Sequence, residues 1–293
     1  MHADALKALA IRAEGLQRDG SLGEAVTAWR EALALLPPDA PQAAQVAERI
    51  EALLRLPGAR ALKRDGKWGG LAGVGLVGLL VAGLTKLPAL AGVLGTFGVL
   101  WSAFGWKLGA GVLAALYVHE LGHVVAMWMR GMTVSAPMFV PGLGAYVRMD
   151  QRAASPLEDN RIGLSGPIAG LLASLACCAT GFFMASPVFY AIASLNAIIN
   201  ALNLCPVWQL DGARGFASLV RWQRIAITVA FAAAFGLTRI GPLLLPLAVS
   251  LFATVSGRPA KTPDNAGFVT FLALIAALTV VAHAAGRAAS GVS

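Results

Sequence analysis

Two histidines one helical turn apart stand in His119-Glu120-Leu121-Gly122-His123, within a strongly apolar part of the chain. Residues at i and i+4 share a helix face, so the two imidazoles can converge on a single Zn²⁺. Glu120 falls close to that face, where a carboxylate reaches a water on the metal without being a ligand itself. Three ionisable side chains in one spanning helix would otherwise be a desolvation cost with no return. Catalytic zinc sites use three protein ligands, and two histidines are not enough. The remaining candidates are His2 near the N-terminus, His283 in the last apolar segment, and Asp211 in Asn203-Leu204-Cys205-Pro206-Val207-Trp208-Gln209-Leu210-Asp211-Gly212. Neither histidine has polar company, and Asp211 ends a second apolar segment marked by polar residues, so it is the better third ligand. Asp-Gly is also a turn signal, and Asp211 can simply terminate a helix.

The elements that must position these residues are membrane helices. With 57% hydrophobic and 13% charged residues, and a mean hydropathy of +0.70, the 293 residues are too apolar for water-soluble domains. Residues 1–68 hold 10 of the 23 Lys+Arg and 9 of the 15 Asp+Glu. The chain is therefore a small polar head followed by a large apolar body. Most of the formal charge of +8 lies in the body, between hydrophobic stretches, where basic loops set membrane orientation; nucleic acid is not an expected partner. Cys177, Cys178 and Cys205 lie in apolar segments without metal or disulfide spacing and read as small packing residues. No cleavable signal peptide is expected at the mixed-charge N-terminus.

Apolar stretches run near 69–85, 88–105, 108–129, 162–184, 187–210, 225–238, 241–256 and 266–286. The expected fold is an all-α polytopic membrane protein of about six to eight apolar helices. It divides into the head (1–56), a basic linker (57–68), a core (69–224) and C-terminal transmembrane helices (225–293). Arg60, Lys63, Arg64 and Lys67 place the head in the cytoplasm by the positive-inside bias, and Arg214, Arg221 and Arg224 place 211–224 there too. Counting crossings between these points leaves 88–105 in the interface or re-entrant. Between the helices, Gly131, Pro137, Pro141, Gly142 and Gly144 interrupt β-leaning runs at Pro137–Val140 and Ala145–Met149. A short membrane-associated β-hairpin turning at Pro141–Gly144 is expected. Non-helical backbone at that depth needs a cover of protein or a water-filled cavity.

In the head, helical periodicity broken at Asp19-Gly20 and Pro37-Pro38 predicts three short helices, the third near Gln42 to Leu54. The first two resemble one tetratricopeptide repeat through Ala25, Trp29, Ala32, Gly20 and Pro37, with Ala13 and Leu16 departing from the usual Gly and Tyr. One repeat cannot bury its stripe alone, so the head needs a partner, a second copy or the membrane body. Binding of a peptide or protein through the Trp29 face and a ligand-free helical hairpin are both open readings.

With HELGH in one helix and NLCPVWQLDG in a later one, residues 69–224 resemble the site-2 protease family of intramembrane zinc metalloproteases. The resemblance implies His119, His123 and Asp211 as zinc ligands and Glu120 as general base. Asn203 matches the family's Asn-x-x-Pro and would bind the scissile carbonyl or its developing oxyanion. Gln209 stands where many members carry a second Pro, and Ser165-Gly166-Pro167 with Gly170 resembles the family's small-residue motif. The expected activity is hydrolysis of a peptide bond in or near a transmembrane segment of a membrane-anchored protein, in regulated intramembrane proteolysis at a bacterial inner membrane. The alternatives are an inactive membrane scaffold recruiting partners through the head, and an ion-coupled transporter using Glu120 and Asp211.

Overall fold

The computed structural model describes residues 2–56, 87–132, 134–142, 144–149, 151–207 and 209–291. The linker 57–68 and the apolar stretch 69–85 lie outside them. Among the described residues eleven α-helices and one two-stranded sheet make a mostly helical membrane protein. The chain divides into two compact units, the first joining residues 1–90 to 124–137 and 147–158.

The head in the first unit is three helices, α1 (His2–Arg18), α2 (Leu22–Ala34) and α3 (Pro41–Leu54). Their limits follow the expected breaks. Pro37 and Pro38 cannot continue α2, and Pro41 starts α3 with its φ already helical. The core of the head holds Ala13, Val26, Trp29, Leu33, Ile50 and Leu53. Trp29 is only 4% exposed, beneath the Arg49 guanidinium at 4.8 Å, which also pairs with Glu14 at 3.1 Å. Helix α3 thus covers the Trp29 ring, as a third helix capping the repeat would.

The partner that a lone helical pair needs is supplied by this chain. Arg30 of α2 is 1% exposed; its two Nη atoms donate to the carboxylate of Glu158, one of them at 3.2 Å. Its Nε donates to the Arg130 carbonyl at 2.9 Å. Arg152 donates to the Leu33 carbonyl at 2.9 Å, Ser155 to Glu51 at 2.7 Å, and Ala154 packs on the head's core. The head is thus bound to segments 124–137 and 147–158, which continue directly into the helices described next.

The second unit holds residues 91–123, 138–146 and 159–293. Helix α4 (Leu87–Phe104) turns through Gly105, at φ +79°, into α5 (Trp106–Trp128). Strands β1 (Met138–Val140) and β2 (Gly144–Tyr146) pair antiparallel in the register Met138↔Tyr146, Phe139↔Ala145, Val140↔Gly144, so the hairpin turns where Pro141 and Gly142 predict. Phe139 stacks on Tyr117 of α5, ring centroids 5.9 Å apart. Helix α6 (Pro156–Phe183) begins before its apolar run, because the Ser155 hydroxyl accepts the Glu158 N–H at 3.1 Å and caps it. Helix α7 (Pro187–Asn203) stops ahead of Pro206, and a loop leads to α8 (Asp211–Ala217). Asp211 therefore begins a helix where the sequence reading had it close one, a position that favours a carboxylate.

Helices α9 (Arg221–Thr238) and α10 (Leu244–Ser256) are joined through Arg239, in the left-handed region at φ 58°, and a 3₁₀ turn over Gly241–Leu243. They lie side by side, with Thr228 and Thr254 in hydrogen-bond contact at 3.3 Å. Helix α11 (Asn265–Ser290) packs along α7, tied by Ser194 to the Ala282 carbonyl at 2.8 Å. The core of this unit centres on Leu204, Phe216, Leu219, Phe231, Phe271 and Leu278. Among the described residues α5, α6 and α11, of 23, 28 and 26 residues, are long and apolar enough to cross a membrane. The apolar helices at Leu90–Phe104, Pro187–Asn203 and Gly241–Ser256 are shorter; a helix of about 17 residues reaches about 25 Å against a hydrocarbon core of about 30 Å. Among the described residues there are thus three candidate spans by length and composition, against an expected six to eight apolar helices.

Candidate metal centre

Helix α5 presents His119 and His123 on one face, and α8 brings Asp211 to them. The His119 Nε2 lies 3.1 Å from Asp211 Oδ2, the His123 Nε2 lies 3.0 Å from Asp211 Oδ1, and the two Nε2 atoms are 3.3 Å apart. Among the described residues this is the His/Cys/Asp/Glu cluster able to hold a metal ion. His119 and His123 are 2% and 7% exposed.

The opposite ring nitrogens fix what the Nε2 atoms can do. His123 Nδ1 lies 2.8 Å from the Ile162 carbonyl, which only accepts, so Nδ1 carries a proton and, in the neutral ring, Nε2 is the nitrogen left to bind a metal. His119 Nδ1 lies 2.7 Å from Asn200 Oδ1, with the same consequence. The two Nε2 atoms and the Asp211 carboxylate thus face one another in a buried site, three ligand atoms that a single cation could share. Ligand atoms about 2.0–2.1 Å from a tetrahedral Zn²⁺ stand about 3.3–3.4 Å apart. The three separations of 3.0 to 3.3 Å are therefore of the size zinc needs.

Glu120 is 5% exposed, with Oε1 4.0 Å from His119 Nε2: too far to share the ligand set, near enough to meet a water beside it. Gly166 of α6 faces both imidazoles; a Cβ there would come 2.7 Å from the His119 Nε2 and closer still to that of His123. The small-residue motif around it therefore makes room for the two imidazoles, the close approach that the family resemblance implies. Asn203 ends α7, half-buried and outside the three-residue cluster. The asparagine on His119 is Asn200, one turn earlier, which the sequence reading did not single out; neither did it find the Ile162 carbonyl. His283 lines a separate cavity of about 260 Å³ with Ser194, Ile198 and Arg287. Cys177, Cys178 and Cys205 are free thiols, and burial pushes that of Cys205 up to about 11, far from a metal-binding thiolate.

Helix α8 is held at its other end. Asn160 donates to Ser218 at 2.7 Å and to Asp264 Oδ2 at 2.7 Å. Asp264 caps α11 by accepting the Gly267 N–H at 2.9 Å. The Asp211 helix is thereby tied to α6 and α11 by a buried polar knot.

The buried His-His-Asp cluster is a site that could hold a metal ion in a membrane protein. Residues 108–187 match Peptidase family M50. The chain is also similar to two curated relatives of Arabidopsis thaliana. Probable zinc metalloprotease EGY1, chloroplastic, is 34% identical over 84 residues, 27% of this chain and 15% of the relative. Probable zinc metalloprotease EGY2, chloroplastic, is 31% identical over 125 residues, 40% of this chain and 22% of the relative. The chain thus spans under a quarter of either relative's length. No solved structure gives a significant match.

Proposed function

We propose that this protein is an intramembrane zinc metalloprotease of the site-2 protease type. The observation that carries the reading is the convergence of two imidazole Nε2 atoms and one carboxylate at zinc spacing inside an apolar helical body. His119, His123 and Asp211 hold the ion. When bound, zinc polarises a carbonyl and makes water nucleophilic near neutral pH. Glu120 takes the proton of the attacking water on its carboxylate and returns it to the leaving amine. Asn203 donates from its amide to the scissile carbonyl or the developing oxyanion.

A substrate helix hides its carbonyls in i to i−4 bonds, so the bond to be cut must first be extended. The β1–β2 hairpin is the element that would hold the extended substrate by strand addition. Its contact with Tyr117, two residues before His119, supports that role. The substrate is a membrane-anchored protein, cut in or near its transmembrane segment in regulated intramembrane proteolysis. The setting is the lipid bilayer of a bacterial inner membrane, with the tetratricopeptide-like head in the cytoplasm receiving a peptide or protein partner away from the buried Trp29.

Metal analysis and cleavage of a reporter substrate in bilayers test the reading together. The expected result is about one zinc per chain, lost in His119→Ala and Asp211→Ala. Glu120→Ala should retain zinc and lose cleavage by about 10²–10⁴-fold. A Glu120→Ala protein that still cuts would refute the assignment; zinc-free wild type that supports processing would favour a scaffold.

A further inference from the structure

The two imidazoles are oriented by different means. His123 leans on a main-chain carbonyl. His119 leans on a side chain, Asn200, that is fully buried. An amide can present either end to a ring, and at most sites its direction is a matter of choice. Here the partners leave no choice.

The direction is set by two main-chain carbonyls, that of Gly170 in α6 for Asn196 and that of Asn196 for Asn200. Ser174 Oγ donates its only proton to the Gly170 oxygen at 3.0 Å, so it must accept from Asn196. Asn196 Nδ2 spends its two protons on Ser174 Oγ at 2.7 Å and on the same Gly170 oxygen at 2.8 Å. Its Oδ1 is then an acceptor, facing Asn200. Asn200 Nδ2 gives its protons to Asn196 Oδ1 at 3.0 Å and to the Asn196 carbonyl at 2.9 Å. Only Asn200 Oδ1 remains for His119, and an acceptor there obliges the imidazole to protonate Nδ1.

We infer that Ser174, Asn196 and Asn200 form a buried amide relay that positions His119 and holds it in the one tautomer able to ligate a metal through Nε2. This deepens the metal-centre reading and rests on it. Asn196 and Asn200 lie one turn apart on α7, and Gly170 leaves room for the Asn200 amide, which a Cβ would strike. An amide suits this place better than a carboxylate: it accepts the same hydrogen bond without burying a further negative charge beside Asp211 and Glu120. Asn200 is a positioning residue; it touches the ligand and does not face the reacting atoms.

The test uses full-length protein in nanodiscs, with zinc affinity read by chelator competition and the visible spectrum of the cobalt-loaded site as a second readout. Asn200→Leu removes the acceptor and should weaken zinc binding about 10- to 100-fold, with the tetrahedral cobalt bands diminished. Asn200→Asp keeps an acceptor for His119 but faces its second oxygen to the two Asn196 acceptors, so it should recover binding and spectrum only in part, a partial rescue over Asn200→Leu that a merely space-filling role does not predict. Asn196→Leu removes one of the two acceptors that orient the Asn200 amide and keeps the main-chain carbonyl, so it should weaken zinc in the same direction but by less. Wild-type affinity in either leucine variant would overturn the inference, and Asn196→Leu decides the matter if Asn200→Leu does not yield monodisperse protein. Wild type without zinc would overturn the metal-centre reading itself, and the relay with it.

Discussion

Removing Arg30 should unfasten the head from the rest of its unit. Arg30 and Glu158 are each 1% exposed, and breaking a buried pair by deleting one partner costs about 3–5 kcal/mol, because a charge is left buried and unpaired. In Arg30→Leu the Glu158 carboxylate keeps the Ala154 N–H at 2.7 Å and has Arg130 Nε at 3.9 Å, so the loss belongs at the lower end, about 3 kcal/mol. In Glu158→Leu the guanidinium keeps only the Arg130 carbonyl among its partners, and the loss moves toward about 5 kcal/mol. Replacing both by leucine leaves no stranded charge and should cost less than the sum of the two. Hydrogen exchange of α2 amides reads this directly: about 3 kcal/mol is about 150-fold faster opening. Single substitutions that each change opening by less than about fivefold, or a double substitution that costs the sum of both, would refute the account of the head as anchored by this pair.

Gly166→Ala improves helix propensity, which at an ordinary helical site stabilises by about 0.5–1 kcal/mol; here the new methyl enters the space of both imidazoles, and the expected outcome is lost zinc, measured by metal analysis, with the protein still helical by circular dichroism. Asp264→Leu strips Asn160, Ser218 and the α11 N-terminus of their common acceptor; thermal unfolding in detergent should fall and zinc affinity with it, because α8 carries Asp211, and unchanged zinc would show that the knot does not position the ligand. Deleting residues 1–56 should expose Glu158 and the Arg130 carbonyl and render 130–158 sensitive to limited proteolysis, whereas a digestion pattern like that of the intact chain would mean that the head contributes nothing there.

What could be seen in the sequence is what is written locally in residue type and spacing. Gly20 and the prolines at 37 and 38 punctuate the head, Pro141 and Gly142 set the hairpin, and HELGH is conspicuous because ionisable groups are rare in so apolar a chain. Asp211 stood out for the same reason, though not the helix it begins, since Pro206 ends α7 several residues earlier. The supports of the site are the opposite case. Asn200 contacts a histidine 81 residues away, the Ile162 carbonyl has no side-chain signature at all, and Gly166 carries information only through what lies opposite it. Arg30 reads as one more solvated helix charge until Glu158, 128 residues on, is placed against it. Trp29 is open to two readings for a related reason: an aromatic at a repeat position is equally suited to a binding face and to a core, and only the position of Arg49 and α3 decides between them. Ligands announce themselves because their chemistry is costly in lipid; the groups that aim them are neutral amides, carbonyls and absent side chains, whose meaning is wholly tertiary. A substitution at the supports should therefore weaken metal binding by graded amounts, while one at His119, His123 or Asp211 removes a whole coordination bond, and comparing the two sets of zinc affinities separates aim from ligation.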